Sequence, residues 1–249
     1  MLRWPLVARR PILPDELVID GRRVPVLATR RASVRCVRLK ASAISGCVEI
    51  SLPARGGEEA AATLLKSHHG WLAARVAQWP RPIPFAPGAS VPVDGQPVLI
   101  DWQAGHPRTP RLVAGRLQLG GPPESLSGRV ERWLKARARA DLAEQTLRLA
   151  AVVGRPVARV AIADPSSRWG SCAGWNRPEG ARIGYSWRLI LAPAWVRTSI
   201  VAHEVAHLVH PNHSPAFHAL NRQLDPRASE ARRWLARHGA ALHWVGREG

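Results

Sequence analysis

The chain has 249 residues, enough for a real hydrophobic core in one large domain or two small ones, and its cysteines are three, Cys36, Cys47 and Cys172. An odd number without C-x-x-C spacing argues against a disulfide framework and fits a reducing compartment, so the cytoplasm is the expected location. The formal charge is +18, carried by 36 basic residues of which only Lys40, Lys66 and Lys135 are lysine; it is compatible with a nucleic-acid contact through the basic surface and equally with a merely solvated arginine-rich surface.

From Met1 to Asp20 there are Arg3, Arg9 and Arg10 but no continuous apolar run, and no window of the chain reaches the ~18 apolar residues of a membrane span. Neither export nor a membrane partner is expected. Val37 and Leu39 alternate with Arg38 and Lys40, and Val48, Ile50 and Leu52 with Glu49 and Ser51, which predicts a hairpin turning at Ile44-Ser45-Gly46. Ala61, Leu65, Leu72 and Val76 recur at helical spacing, so one helix is expected over Glu58–Trp79, with Glu58 and Glu59 favourably placed at its start. The Pro80–Pro84 run ends it. A second β region follows, with Val98, Ile100 and Trp102 on one parity, a turn at Asp94-Gly95, and a short strand holding Leu117 and Leu119.

Gly120-Gly121-Pro122-Pro123 favours no regular element and composition changes beyond it. The expected division is therefore a β-rich N-terminal portion with one helix, residues 1–120, and a helical core, residues 121–249. Glu124–Ala150 reads as an amphipathic helix with Val130, Trp133, Leu134 and Leu142 inward and Arg129, Arg132 and Arg139 on a solvated face. Val157–Ala163 and Ala181–Leu191 read as strands. A helix opening at Pro193 carries Val196 and Ile200 on the stripe of His203 and His207, with Val201, Val205 and Leu208 on the neighbouring stripe. Asp225-Pro226 opens a final helix ending near Gly239, packed through Trp234 and Leu235. No internal repeat is evident.

The chemistry lies in His203-Glu204-Val205-Ala206-His207 followed by His213. Helical residues four apart differ by about 40° of rotation and roughly 6 Å of rise, so His203 and His207 point from one face at a common ion. Glu204 is turned about 100° from His203, outside the ligand set but within reach of a water beside the ion, where a general base belongs. A helix face offers only two imidazoles, so the third ligand comes from beyond the break that Pro211 imposes near His210, with His213 swung back. Ser214-Pro215 then caps and opens the next helix. Three protein ligands leave a zinc ion an open position and make its water acidic enough to give a nucleophile near neutral pH. One zinc ion is thus the expected cofactor. His210 and His218 are lesser candidates as a ligand or proton shuttle.

Three motifs, Ser167-Arg168-Trp169-Gly170-Ser171-Cys172, then Trp187 through Pro193, then His203 through His207 continuing as Asn212-His213-Ser214-Pro215-Ala216-Phe217, resemble in order and spacing the YgjP-like family of bacterial metal-dependent peptidases, relatives of the SprT-like group. The resemblance implies an α+β fold with a zincin-like, gluzincin-type catalytic core, a small mixed sheet over the metal-binding helix, and a preceding β-rich portion of the same unit. It implies zinc on His203, His207 and His213, Glu204 as base, and a protein or peptide substrate. Tyr185 and Arg168 are the candidates for an electrophilic helper, with core packing and a structural ion pair as their respective alternatives.

Ser186 stands where the family often has Asn, and His218 where Trp is common; both departures bear on substrate contacts rather than metal binding. The same His spacing occurs in metal-dependent endoribonucleases of ribosome maturation, a rival that the positive charge favours, although those proteins lack an acid after the first His. The metzincin peptidases need Gly where His210 stands. A nucleic-acid-binding adaptor stapled by zinc without catalysis is the third alternative, and Glu204 argues against it, because a purely structural site has no use for a free carboxylate.

Overall fold

The computed structural model describes residues 13–248; the segment with Arg3, Arg9 and Arg10 lies outside the described residues. The chain forms two compact units, residues 1–80 and 81–249. The turn at Gly120-Gly121-Pro122-Pro123, expected to be the boundary, lies inside the second unit. Leu117 and Leu119 before it and Leu126 and Val130 after it share one core, so packing overrides the break in local propensity. Arg129, expected on a solvated face, reaches back to the carbonyls of Arg108, Gly120 and Pro122 and ties that turn to the helix.

In the first unit, β1 (Glu16–Ile19), β2 (Arg22–Arg30), β3 (Arg38–Ser42) and β4 (Cys47–Leu52) form a mixed sheet in the order β1-β2-β4-β3. The predicted hairpin is present as β3 and β4, with Arg38 opposite Ser51 and Ser42 opposite Cys47. The single helix expected over 58–79 is two, α1 (Glu58–Ser67) and α2 (His69–Ala77). Ser67-His68-His69-Gly70 is a run of poor helix formers. At His68 the backbone opens to φ −105°, ψ 15°, and the Ser67 hydroxyl bonds the Leu64 carbonyl and the His68 ring.

The second unit begins with β5 (Ser90–Val93), β6 (Gln96–Trp102), β7 (Arg111–Val113) and β8 (Arg116–Leu119), in the order β5-β6-β8-β7. Its connectivity repeats that of the first sheet: two antiparallel hairpins joined through parallel inner strands, β2 on β4 and β6 on β8. This topological repeat was not evident in the sequence. Its one shared signal is the Asp-Gly turn: Asp20-Gly21 and Asp94-Gly95 both take positive φ at each residue, as two-residue hairpins require.

A 3-10 turn at Pro123–Ser125 leads into α3 (Leu126–Val152). Then come β9 (Val157–Ala163), β10 (Gly170–Ala173) and β11 (Ala181–Ser186), a three-stranded sheet in the order β10-β11-β9, with β9 parallel and β10 antiparallel to β11. The strand expected to run to Leu191 stops at Ser186, whose hydroxyl accepts from the Arg188 N–H and starts a 3-10 turn over Trp187–Leu191. The helices α4 (Ala194–Ala206), α5 (Pro215–Leu224) and α6 (Ala228–Leu242) complete the chain. The class is α+β, with the small mixed sheet beside α4. Among the described residues no helix is long and apolar enough to cross a membrane.

Candidate metal centre

The helix α4 is held from three sides. Val196, Val201 and Val205 are buried in the unit's core. Arg197, also buried, occupies the position four residues before Val201 and pairs with Asp94 in the β5–β6 turn at 2.8 Å and with Asp141 of α3. Ser199 donates to the buried carboxylate of Asp225, which also accepts the Arg227 N–H at 3.1 Å and so fixes the α5–α6 corner. Arg227 lies over the Trp195 ring at 3.9 Å. These tethers fix the helix bearing His203 and His207 before any ion arrives.

After Ala206 the chain tightens into turns, and Pro211 ends them: the last N–H in the series is that of His210, bonded to Ala206. Ser214 caps α5 by accepting the Phe217 N–H at 3.3 Å, with Pro215 in the first turn, as the sequence indicated. This brings His213 back over α4. The ligand atoms of His203, His207 and His213 all lie within 4.8 Å of one another. The Nε2 atoms of His203 and His213 are 3.2 Å apart. Two nitrogens each ~2.0–2.1 Å from a tetrahedral ion are roughly 3.3 Å apart, so this donor pair fits a divalent metal of that geometry.

The His207 Nδ1 lies 3.0 Å from the His210 carbonyl. A carbonyl only accepts, so Nδ1 carries the proton and Nε2 keeps its lone pair toward the other two rings. His210 thus acts through its backbone; its ring is not one of the trio. Burial, then the neighbouring imidazoles, pushes His203 down to about 4, and burial also lowers His207, which keeps both rings neutral and able to ligate at neutral pH. Beneath all three sits Phe217, fully buried, with ring centroids 5.0, 4.5 and 4.7 Å from those of His203, His207 and His213. It is the apolar floor of the cluster.

Glu204 is 5% exposed. Burial raises its carboxyl to about 7, against the lowering charge of exposed Arg168. Its side chain lies against β10 at Gly170, where a Cβ would collide with the carboxylate itself. The preceding Trp169 packs against His243 in a tilted arrangement with centroids 5.2 Å apart and meets α6 at Gly239, so β10 is clamped at this point. Cys172, two residues further along, is half-buried, and burial together with Glu204 pushes its thiol up to about 11; it has the inert character expected of a packed thiol.

Tyr185 and Arg168 part company. Tyr185 is fully buried, its hydroxyl 3.0 Å from Thr146 of α3, and burial drives its pKa upward, so it belongs to the core. Arg168 is at the surface and acts on Glu204 through its charge; the structural ion pair belongs to Arg188, which grips Asp164 with two bonds of 2.7 and 2.9 Å and donates to the Leu242 and Val245 carbonyls. Sequence reasoning named Gly170 and Phe217 only as members of motifs, without a role, and missed Arg197. A glycine inside a short strand and an arginine in line with Val201 and Val205 were the available signals.

An α+β unit with three convergent imidazoles, an adjacent buried carboxylate and a mixed sheet alongside defines a zincin-like metalloprotein. The family described as YgjP-like, metallopeptidase domain, matches residues 37–238, and the chain belongs to it. It is accordingly a metallopeptidase-family hydrolase. No curated protein and no solved structure matches the chain.

Proposed function

We propose that the protein is a zinc-dependent peptidase in which His203, His207 and His213 hold one ion and Glu204 is the general base. The observation that carries this reading is the imidazole trio together with Glu204, which follows the first ligand on the same helix, is buried, and belongs to no ion pair among the described residues. When bound, zinc polarises the scissile carbonyl and acidifies a water toward a pKa of ~7. Glu204 takes the proton from the attacking water and delivers it to the leaving amine. Burial, which raises this carboxyl in the metal-free protein, suits both halves of that task, because it brings the group's proton affinity closer to that of the water and amine it serves.

The seat for the substrate is β10. It is an edge strand, paired on one side with β11, and Gly170 brings its backbone against the Glu204 carboxylate. An extended peptide adding to this edge through main-chain hydrogen bonds would run past the base. Arg168, exposed at the head of the strand, supplies positive charge near that path. Cleavage assays on casein and on structured RNA, comparing wild type with Glu204→Gln, test the reading. Loss of casein cleavage with the metal retained supports it; RNA cleavage that survives the substitution overturns it in favour of a ribonuclease.

A further inference from the structure

The first unit contains a groove that the metal centre does not use. It has a volume of about 360 Å³ and runs between α2 and the free edge of β3, lined among others by Lys40, Trp71, Arg75, Gln78 and Trp79. Trp71 and Arg75 are one helical turn apart on α2, so both side chains rise from the same face. The Arg75 guanidinium lies 5.9 Å from the Trp71 ring, and Trp71 is 40% exposed, whereas tryptophan is on average highly buried.

No residue lining the groove is acidic. Lys40 pairs with Glu49 at 3.1 Å at the rim of the groove, and Arg75 takes part in no ion pair among the described residues. An exposed indole beside an arginine, on a chain of net charge +18, complements a ligand that carries both a π-face and a negative charge at each repeat.

We infer that this groove binds single-stranded nucleic acid, one base stacking on Trp71 and an adjacent phosphate meeting Arg75. An extended strand suits it because a single strand offers unpaired base faces, which a duplex keeps stacked inside. The contact is sequence-tolerant, since every base has a π-face, and salt-dependent, since phosphate contacts release counterions. It is independent of the peptidase reading: no residue of the groove belongs to the metal centre.

The test is fluorescence anisotropy of a fluorescein-labelled oligothymidylate titrated with the full-length protein at several salt concentrations. Parallel titrations use Trp71→Ala, Trp71→Tyr, Arg75→Ala and a control in the other unit, Arg177→Ala. Trp71→Ala weakens binding about tenfold or more, the scale of one lost base stack, while Trp71→Tyr retains most of it. Arg75→Ala weakens binding and flattens the salt dependence; Arg177→Ala leaves both near wild type. Circular dichroism checks that each variant is folded. Absence of binding at low salt, equal binding by Trp71→Ala and wild type, or displacement by polyglutamate as readily as by unlabelled oligothymidylate overturns the inference, the last result marking a surface that responds to charge alone.

Discussion

Gly170 leaves the space that the Glu204 carboxylate occupies: a methyl group on that strand residue would overlap the acid's terminal atoms. Gly170→Ala must therefore displace either β10 or the base. The substitution is expected to lower peptide hydrolysis by about a hundredfold, the scale of a misplaced reacting group, while leaving metal content at the wild-type level. Wild-type turnover in Gly170→Ala would remove Glu204 from the reaction.

Phe217 supports all three imidazoles from below. Truncation to Ala is expected to cost roughly 3–5 kcal/mol of stability, as for other buried aromatics. The more informative variant is Phe217→Leu, which keeps an apolar floor of altered shape. It should remain folded yet bind metal about tenfold more weakly, because the rings lose their common platform. Competition against a chromophoric chelator measures the change.

The buried Arg197 ties the metal-bearing helix to Asp94 and Asp141. Removing one partner of such a network leaves charges without compensation, and Arg197→Ala is expected to lower unfolding free energy by about 3–5 kcal/mol. Combining Arg197→Met with Asp94→Asn and Asp141→Asn should recover much of that loss, since neither acid then faces a missing guanidinium and the other partner of Asp94, Arg137, is part-exposed and can stay hydrated. Urea denaturation of the single and triple variants checks the ordering. A triple variant no more stable than Arg197→Ala would mean that the arginine acts through packing instead.

Acid should destabilise the fold in two stages. Burial, then the charge of Arg188, depresses His243 from its ordinary 6.5 to about 4. Its unfolded form takes up a proton first, so the stability it contributes is present above about 6.5 and is lost as pH falls toward 4. Asp164 follows. Burial works to raise its carboxyl, but the hydrogen bonds and charge of Arg188 outweigh that and hold it below the ordinary value, so its contribution fades only as pH falls further. The lowered His203 and His207 add to the first stage in metal-free protein. Urea midpoints of metal-free wild type and His243→Phe, measured from pH 7 to 4, should converge as the pH drops; parallel profiles would contradict the assignment.

Local patterning made much of this architecture legible. The hairpin of β3 and β4, the strand β9 and the capped entry to α5 follow from alternation, β-branched runs and the Ser214-Pro215 signal, none of which needs distant partners. The convergence of His203, His207 and His213 was legible for the same reason: two ligands share a helix face and the third follows a proline break. Contacts between distant segments were not. Nothing near Gly120 announces that Leu119 and Leu126 share a core, and nothing near Tyr185 announces the Thr146 hydroxyl that draws it inside. The kink at His68 lay in propensities too weak to outvote a good apolar stripe.

Zinc titration of metal-free protein, with peptide hydrolysis followed in the same samples, probes the three rings, the ion and the acid together. One zinc per chain is expected for wild type and for Glu204→Gln, with hydrolysis in the wild type alone and loss of tight binding in His203→Ala, His207→Ala and His213→Ala. Tight zinc binding that survives His213→Ala, or undiminished hydrolysis in Glu204→Gln, would contradict the reading of this site as a zinc peptidase.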